Sequence, residues 1–170
     1  NTHTHAAMTM LRSYADDLPL MPWLSTKIWP FEDKMTAEDI YWGTLLAFGE
    51  MLKSGTTTML DMYYFMEQVA QAVAETGIRG VLSRGLVGNG PNGEKALAEA
   101  IELVHKYNGA ENGRLKVMLG PHAPYTCSGE YLRRVKKEAE RLNVGLHIHV
   151  AETLDEIKTI QEQYGKTPVQ

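Results

Sequence analysis

The chain has 170 residues, 44% of them apolar, with a net charge of -4 and a pI near 5.9. That is enough for one domain with a sizeable core, and it gives no electrostatic footprint for nucleic acid or an anionic membrane surface. A single cysteine, Cys127, excludes an internal disulfide and points to a reducing, cytoplasmic setting, and no apolar run reaches membrane-spanning length.

The first residues, Asn1-Thr2-His3-Thr4-His5, place two histidines at i and i+2, on one face of an extended backbone. At a strand end both imidazoles can reach one cation, although His-x-His alone is a weak signal. The chain opens inside this strand and without a Met, so it reads as a piece of a longer polypeptide. Ala6 to Phe31, with Pro19, Pro22 and Pro30, shows no clear period and reads as a long irregular loop of the lid or binding type.

Regular alternation follows. Thr36 caps a helix through Ile40, Thr44, Phe48 and Met51 that stops at Gly55, and Thr56 to Asp61 is a strand. A helix over Met66 to Thr76 closes at Gly77, and Arg79 to Arg84 is the next strand. A helix over Glu94 to Tyr107 leads to a strand over Leu115 to Gly120. Ser128 caps a helix to Leu142, and Asn143 to Ala151 is the last strand. Thr153 and Glu156 form a capping box for a final helix. The fold class is α/β with parallel βαβ units. The first βα turn lacks the G-x-G-x-x-G expected of a dinucleotide binder, no Walker sequence appears, and the reactive residues follow strand C-termini, as in a (β/α)8 barrel of the TIM type. The chain covers about strands 1–5 of such a barrel.

A second histidine cluster, His147-Ile148-His149-Val150-Ala151-Glu152, sits at the last strand end. His149 is a candidate third nitrogen ligand, with His147 on the same face as a rival. Glu152 is either a proton-moving carboxylate beside the metal or an acid favoured by the following helix dipole. His122 lies in a stretch stiffened by Pro121 and Pro124. Arg84 ends a strand among Gly80, Gly85, Gly88 and Gly90, with a salt bridge to Asp61 as the plain alternative to a pocket role. Glu32 by itself reads as a surface acid. Cys127 reads as a packed thiol, and His105 and the Arg133, Arg134, Lys136, Lys137 group as solvated helix surface.

Asn1 to His5, Trp29-Pro30-Phe31-Glu32, Ser83-Arg84-Gly85, Pro121 to Tyr125 and His147 to Thr153 together resemble the amidohydrolase superfamily over the whole chain. The nearest branch by pattern is the 5-methylthioadenosine/S-adenosylhomocysteine deaminases. The resemblance implies a partial metal-dependent hydrolase barrel domain over residues 1–170, holding one divalent metal, commonly zinc. It implies His3, His5 and His149 as metal ligands and Glu152 as the proton shuttle, also touching substrate. Glu32 is then expected at the ribose hydroxyls, with Arg84 and His122 lining the nucleoside pocket. The family's further histidine and aspartate ligands belong to later strands, beyond Gln170. The expected reaction is hydrolytic deamination of a purine nucleoside, the small-molecule partner. Alternatives are a relative acting on guanine or a triazine, or an inactive scaffold fragment. Exposed strand edges lead us to expect either a homo-oligomer or complementation by the missing part of the barrel.

Overall fold

The computed structural model describes residues 1–88 and 91–170; Gly90, one of the glycines noted beside Arg84, lies outside them. The stretch after His5 is more ordered than its prolines suggest. A 3-10 helix spans Ala6–Leu11, and a continuous helical run comprises α1 (Leu20–Trp23), a π turn (Leu24–Ile28) and α2 (Trp29–Glu32). Pro22 falls in the first turn of this run, where a backbone N–H needs no intrahelical acceptor, while Pro30 follows directly on the π turn, where the hydrogen-bond ladder shifts from π to α spacing. Ser25 and Thr26 back-bond through their hydroxyls to the carbonyls of Met21 and Pro22. The prolines therefore punctuate this run without abolishing it.

Beyond Thr36 the local signals hold. In α3 (Ala37–Lys53) the Thr36 side chain accepts from Asp39 N while the Asp39 carboxylate accepts from Thr36 N, a reciprocal capping box. β1 (Thr58–Tyr63) leads to α4 (Met66–Thr76), closed by Gly77 at φ 77°, a left-handed geometry that glycine adopts without strain. Then come β2 (Arg79–Leu86), α5 (Pro91–Tyr107), β3 (Leu115–Pro121), α6 (Gly129–Leu142, capped by Ser128) and α7 (Leu154–Tyr164, capped by Thr153). No described helix is long and apolar enough to cross a membrane.

The strands form one parallel sheet in the order β1-β2-β3, with Asp61 opposite Leu82 and Leu82 opposite Val117. Of the five expected strands, the two outer ones are reduced to single parallel bridges, Thr4 with Asp61 and Leu119 with Leu146. Each shortfall has a backbone cause. At the first edge Leu60 donates to Asn1 O but accepts from Thr4 N, one residue further on than a regular ladder allows. At the other edge His147 N bonds Leu119 O, but Pro121 has no N–H to continue the ladder, and His149 N bonds His122 O instead. The outer segments nonetheless run parallel to the sheet, giving an arc of five staves, a partial (β/α) barrel.

The core lies between sheet and helices, with Met59, Leu82 and Leu119 from the strands against Phe48, Val69, Val73, Leu97 and Val135 from the helices. Gly43 lets α3 approach the Ala6–Leu11 turn: a Cβ there would stand 2.7 Å from Ala7 O, a backbone atom that cannot rotate aside. Gly43→Ala is expected to push this turn off α3 and to lower unfolding free energy by about 1–3 kcal/mol, the usual cost of overpacking. Denaturant unfolding of the variant checks this, and an unchanged midpoint would contradict it.

Candidate functional site

Because the staves are parallel, their C-terminal ends share one rim. The first stave brings His3 and His5 there, β3 delivers His122, and the fifth stave delivers His149. His3, His5 and His149 each offer one ring nitrogen, and these atoms lie within 4.8 Å of one another. The closest pair, His3 Nε2 and His149 Nε2, is 3.1 Å apart. A tetrahedral zinc with Zn–N bonds of about 2.0–2.1 Å separates its nitrogens by about 3.3 Å, so this spacing suits a shared ion.

The hydrogen bonds fix which nitrogens are available. His5 Nδ1–H donates to Met62 O at 2.5 Å and His149 Nδ1–H to His122 O at 2.9 Å. Both acceptors are carbonyls, so each neutral ring must keep its lone pair on Nε2. His3 Nδ1 lies 2.9 Å from His147 Nε2, which again leaves Nε2 facing the group. Burial holds His3 and His5 below the usual histidine range, and the neighbouring imidazoles add to the effect. Neutral rings with inward Nε2 lone pairs are the form a divalent metal requires. His147, the rival ligand, is buried behind His3 and does not join the convergent atoms.

Glu152 sits in the loop past His149, and its Oε2 accepts from Tyr125 OH at 2.9 Å. The loop is tied down from beneath by buried Glu156, whose carboxylate accepts from Ala151 N at 2.9 Å and Glu152 N at 2.8 Å. Ala151 adopts φ 57°, a left-handed conformation held by these bonds. Glu156 is thus only half a capping box: Thr153 Oγ1 accepts from Glu156 N, but the Glu156 carboxylate reaches past Thr153 to the residues before it.

Glu32 is half-buried rather than a free surface acid. Tyr63 OH donates to its Oε1 at 2.6 Å, and burial pushes its carboxyl up despite that bond. A small cavity of about 90 Å³ is lined by His5, His149, Glu152, His122, Glu32 and Tyr125 among others, so two of the three convergent imidazoles and the candidate proton carrier share one space. It adjoins a cleft of about 970 Å³ that shares Glu32 and His122 and adds Arg84. The expected alternative partner of Arg84 is corrected: its Nε donates to Glu99 at 3.2 Å, not to Asp61, and its guanidinium lies over Tyr64 at 5.0 Å. His122 Nδ1 pairs with Thr126 Oγ1 at 2.9 Å, and burial lowers its pKa to about 4, so it is neutral at pH 7. Cys127 is a packed thiol donating to Leu86 O.

Sequence reasoning missed Tyr63, Tyr125 and Glu156. Tyr63 carries no local signal, because its partner is 31 residues away. Tyr125 and Glu156 stand inside motifs already noted, but their partners emerge only once the loops are folded.

The model of the amidohydrolase family matches residues 1–169. The chain belongs to the amidohydrolase family. Among amidohydrolase relatives, it is 79% identical over 170 residues to a 5-methylthioadenosine/S-adenosylhomocysteine deaminase of Desulfitobacterium hafniense (strain Y51), covering 100% of this chain and 39% of that protein. It is 60% identical over 169 residues to a protein of the same name from Syntrophomonas wolfei, covering 99% of this chain and 39% of the relative. The chain thus spans about two fifths of the length of these relatives. An adenosine deaminase from Xanthomonas campestris, solved with bound zinc, superposes with a TM-score of 0.91 at 34% identity, over 99% of this chain and 39% of its own. Atrazine chlorohydrolase from Arthrobacter aurescens TC1, complexed with zinc, superposes with a TM-score of 0.86 over 99% of this chain and 44% of its own; at 20% identity that likeness is one of fold.

One acid beneath the amidohydrolase rim is unusual. Asp61 is fully buried, its Oδ1 accepts from Ala6 N at 2.9 Å, and its Oδ2 has no partner among the described residues. Burial pushes its carboxyl up from 3.8 to about 7. Between those two values the native chain holds a proton that the unfolded chain releases, so this group's contribution to stability falls as pH rises through that window. Asp61→Asn keeps the acceptor for Ala6 and removes the titration. Its unfolding free energy, measured from pH 4 to 7, is expected to decline less with rising pH than that of the parent protein. Parallel curves would contradict this.

Proposed function

We propose that this chain carries the first part of the catalytic barrel of a zinc-dependent aminohydrolase acting on adenosine-type nucleosides, 5-methylthioadenosine and S-adenosylhomocysteine among them. On this reading residues 1–170 are one partial barrel domain, and further polypeptide completes the wall and the metal site. The observation that carries the reading is the meeting of three imidazole nitrogens within 4.8 Å of one another, two of those rings lining a cavity with Glu152. The high identity to relatives bearing that deaminase name supports the substrate class, and zinc in the adenosine deaminase neighbour supports the metal.

In this proposal His3, His5 and His149 hold the ion through Nε2. A zinc ion there supplies Lewis-acid activation of water near neutral pH. Glu152, aimed by Tyr125 and by the loop anchored on Glu156, carries a proton to the purine ring nitrogen beside the carbon that bears the amino group. Water adds at that carbon, the C–N bond to the amino group breaks, and ammonia leaves with the inosine analogue as the other product. Glu32, with one oxygen held by Tyr63, presents the other to the ribose hydroxyls, while neutral His122 and Arg84 line the nucleoside cleft. A buried acceptor with no hydroxyl to meet it is costly, which favours nucleosides over free bases.

Ammonia release from the complete gene product tests this. 5-Methylthioadenosine and S-adenosylhomocysteine are expected to be deaminated, with Glu152→Gln lowering kcat by about 10²–10⁴-fold, the usual share of a proton-transferring side chain. Glu32→Gln is expected to raise KM for the nucleosides more than it lowers kcat. Turnover of guanine or a chlorotriazine without turnover of the adenosine thioethers would move the protein to another branch. His149→Ala is expected to lose the stoichiometric zinc measured in the parent by elemental analysis, and undiminished zinc would contradict its assignment.

A further inference from the structure

Behind the rim lie two buried polar side chains that the proposed chemistry does not use, Ser83 on β2, at 0% exposure, and His147 on the fifth stave, at 7%. They form a continuous chain to His3. Ser83 Oγ lies 2.9 Å from Asp61 O and 2.7 Å from His147 Nδ1, and His147 Nε2 lies 2.9 Å from His3 Nδ1. The direction of every bond is forced from one end. A carbonyl only accepts, so the single Ser83 hydroxyl proton goes to Asp61 O. Ser83 Oγ must then accept from His147, which fixes that imidazole as the Nδ1–H tautomer. His147 Nε2 is consequently a lone pair and accepts from His3 Nδ1–H, leaving His3 Nε2 without a proton.

We infer that Ser83 and His147 are positioning residues that set the tautomer and ring angle of His3, so that its Nε2 faces the other two imidazoles ready for a metal. His5 and His149 are oriented by backbone carbonyls, those of Met62 and His122, which no side-chain substitution removes. His3 is the exception. The backbone beside it carries the extra residue that breaks the ladder at Asn1 to Thr4, and its Nδ1 acceptor among the described residues is a side chain. Orientation of the most exposed of the three rings is therefore passed inward, through two side chains, to the carbonyl of Asp61 on β1. Outer partners of this kind are worth about 10–100-fold in metal affinity. The inference rests on the proposed metal site, but its first readout needs no metal.

Histidine-selective ¹⁵N labelling of the complete, metal-free protein distinguishes Nδ1–H from Nε2–H imidazoles. His3 and His147 are both expected as Nδ1–H in the parent. Ser83→Ala, which deletes a single oxygen atom, removes the acceptor that fixes His147, and His3 is expected to show a mixture of tautomers. Zinc affinity by chelator competition is expected to fall about 10–100-fold in Ser83→Ala and in His147→Ala. His147→Gln, whose side-chain oxygen can accept from His3 Nδ1–H, is expected to regain most of it. An unchanged His3 tautomer and unchanged zinc affinity in Ser83→Ala would overturn the inference, as would a His147→Gln variant no better than His147→Ala. If the parent protein binds no zinc, the metal reading of the preceding subsection fails, while the tautomer shift still decides whether this relay exists.

Discussion

The arrangement depends on one constraint: the first and fifth staves must run parallel to a sheet that separates them in sequence by more than a hundred residues. Hydrogen bonds from Thr4 to Leu60 and from His147 to Leu119 hold the two segments against opposite edges of β1-β2-β3. Since all five segments point the same way, their C-terminal ends lie at one rim, where His-x-His from the start of the chain meets His-x-His from its end. The helices supply the apolar cover that keeps the sheet curved and buried. They contribute little chemistry apart from α2, whose last residue is Glu32, and α7, whose first turn contains Glu156.

The edges of the sheet are irregular where the chemistry is. An extra residue between Asn1 and Thr4, and Pro121 with no N–H to give, both interrupt the ladder within a few residues of a candidate ligand. Backbone groups near each interruption serve other uses: Ala6 N, the regular ladder donor to Met62 O, bonds the Asp61 carboxylate instead. Thr4 still bonds both Leu60 and Met62, while Met62 O turns to His5, and His122 O takes both the backbone and the ring N–H of His149. A fully regular strand would have engaged those carbonyls in the sheet. Irregularity at these positions is how main-chain acceptors become available to orient imidazoles.

Much of the fold is legible in the sequence because its signals are local. Thr36, Gly77, Ser128 and Thr153 mark helix ends through bonds made within four residues, and the apolar strands between them follow from composition. Ala6 to Phe31 reads as a loop only while every proline counts as a breaker, whereas Pro22 sits in a first helical turn and Pro30 directly after a π turn. The convergence of His3, His5 and His149 follows from motif order, and the preference for His149 over His147 from the spacing to Glu152. The supporting bonds have no such signal. Tyr63 to Glu32, Ser83 to His147, and the choice by Arg84 of Glu99 over Asp61 are set by cross-strand register and helix placement, which no short window of sequence encodes.

The proposed chemistry turns on three imidazoles binding one ion through Nε2. Anomalous diffraction at the zinc edge, from crystals of the complete protein grown with zinc, tests it most directly. The predicted result is a single strong peak about 2.0–2.1 Å from the Nε2 atoms of His3, His5 and His149. A peak on Nδ1 atoms or on His147, or no peak at this rim, would contradict it.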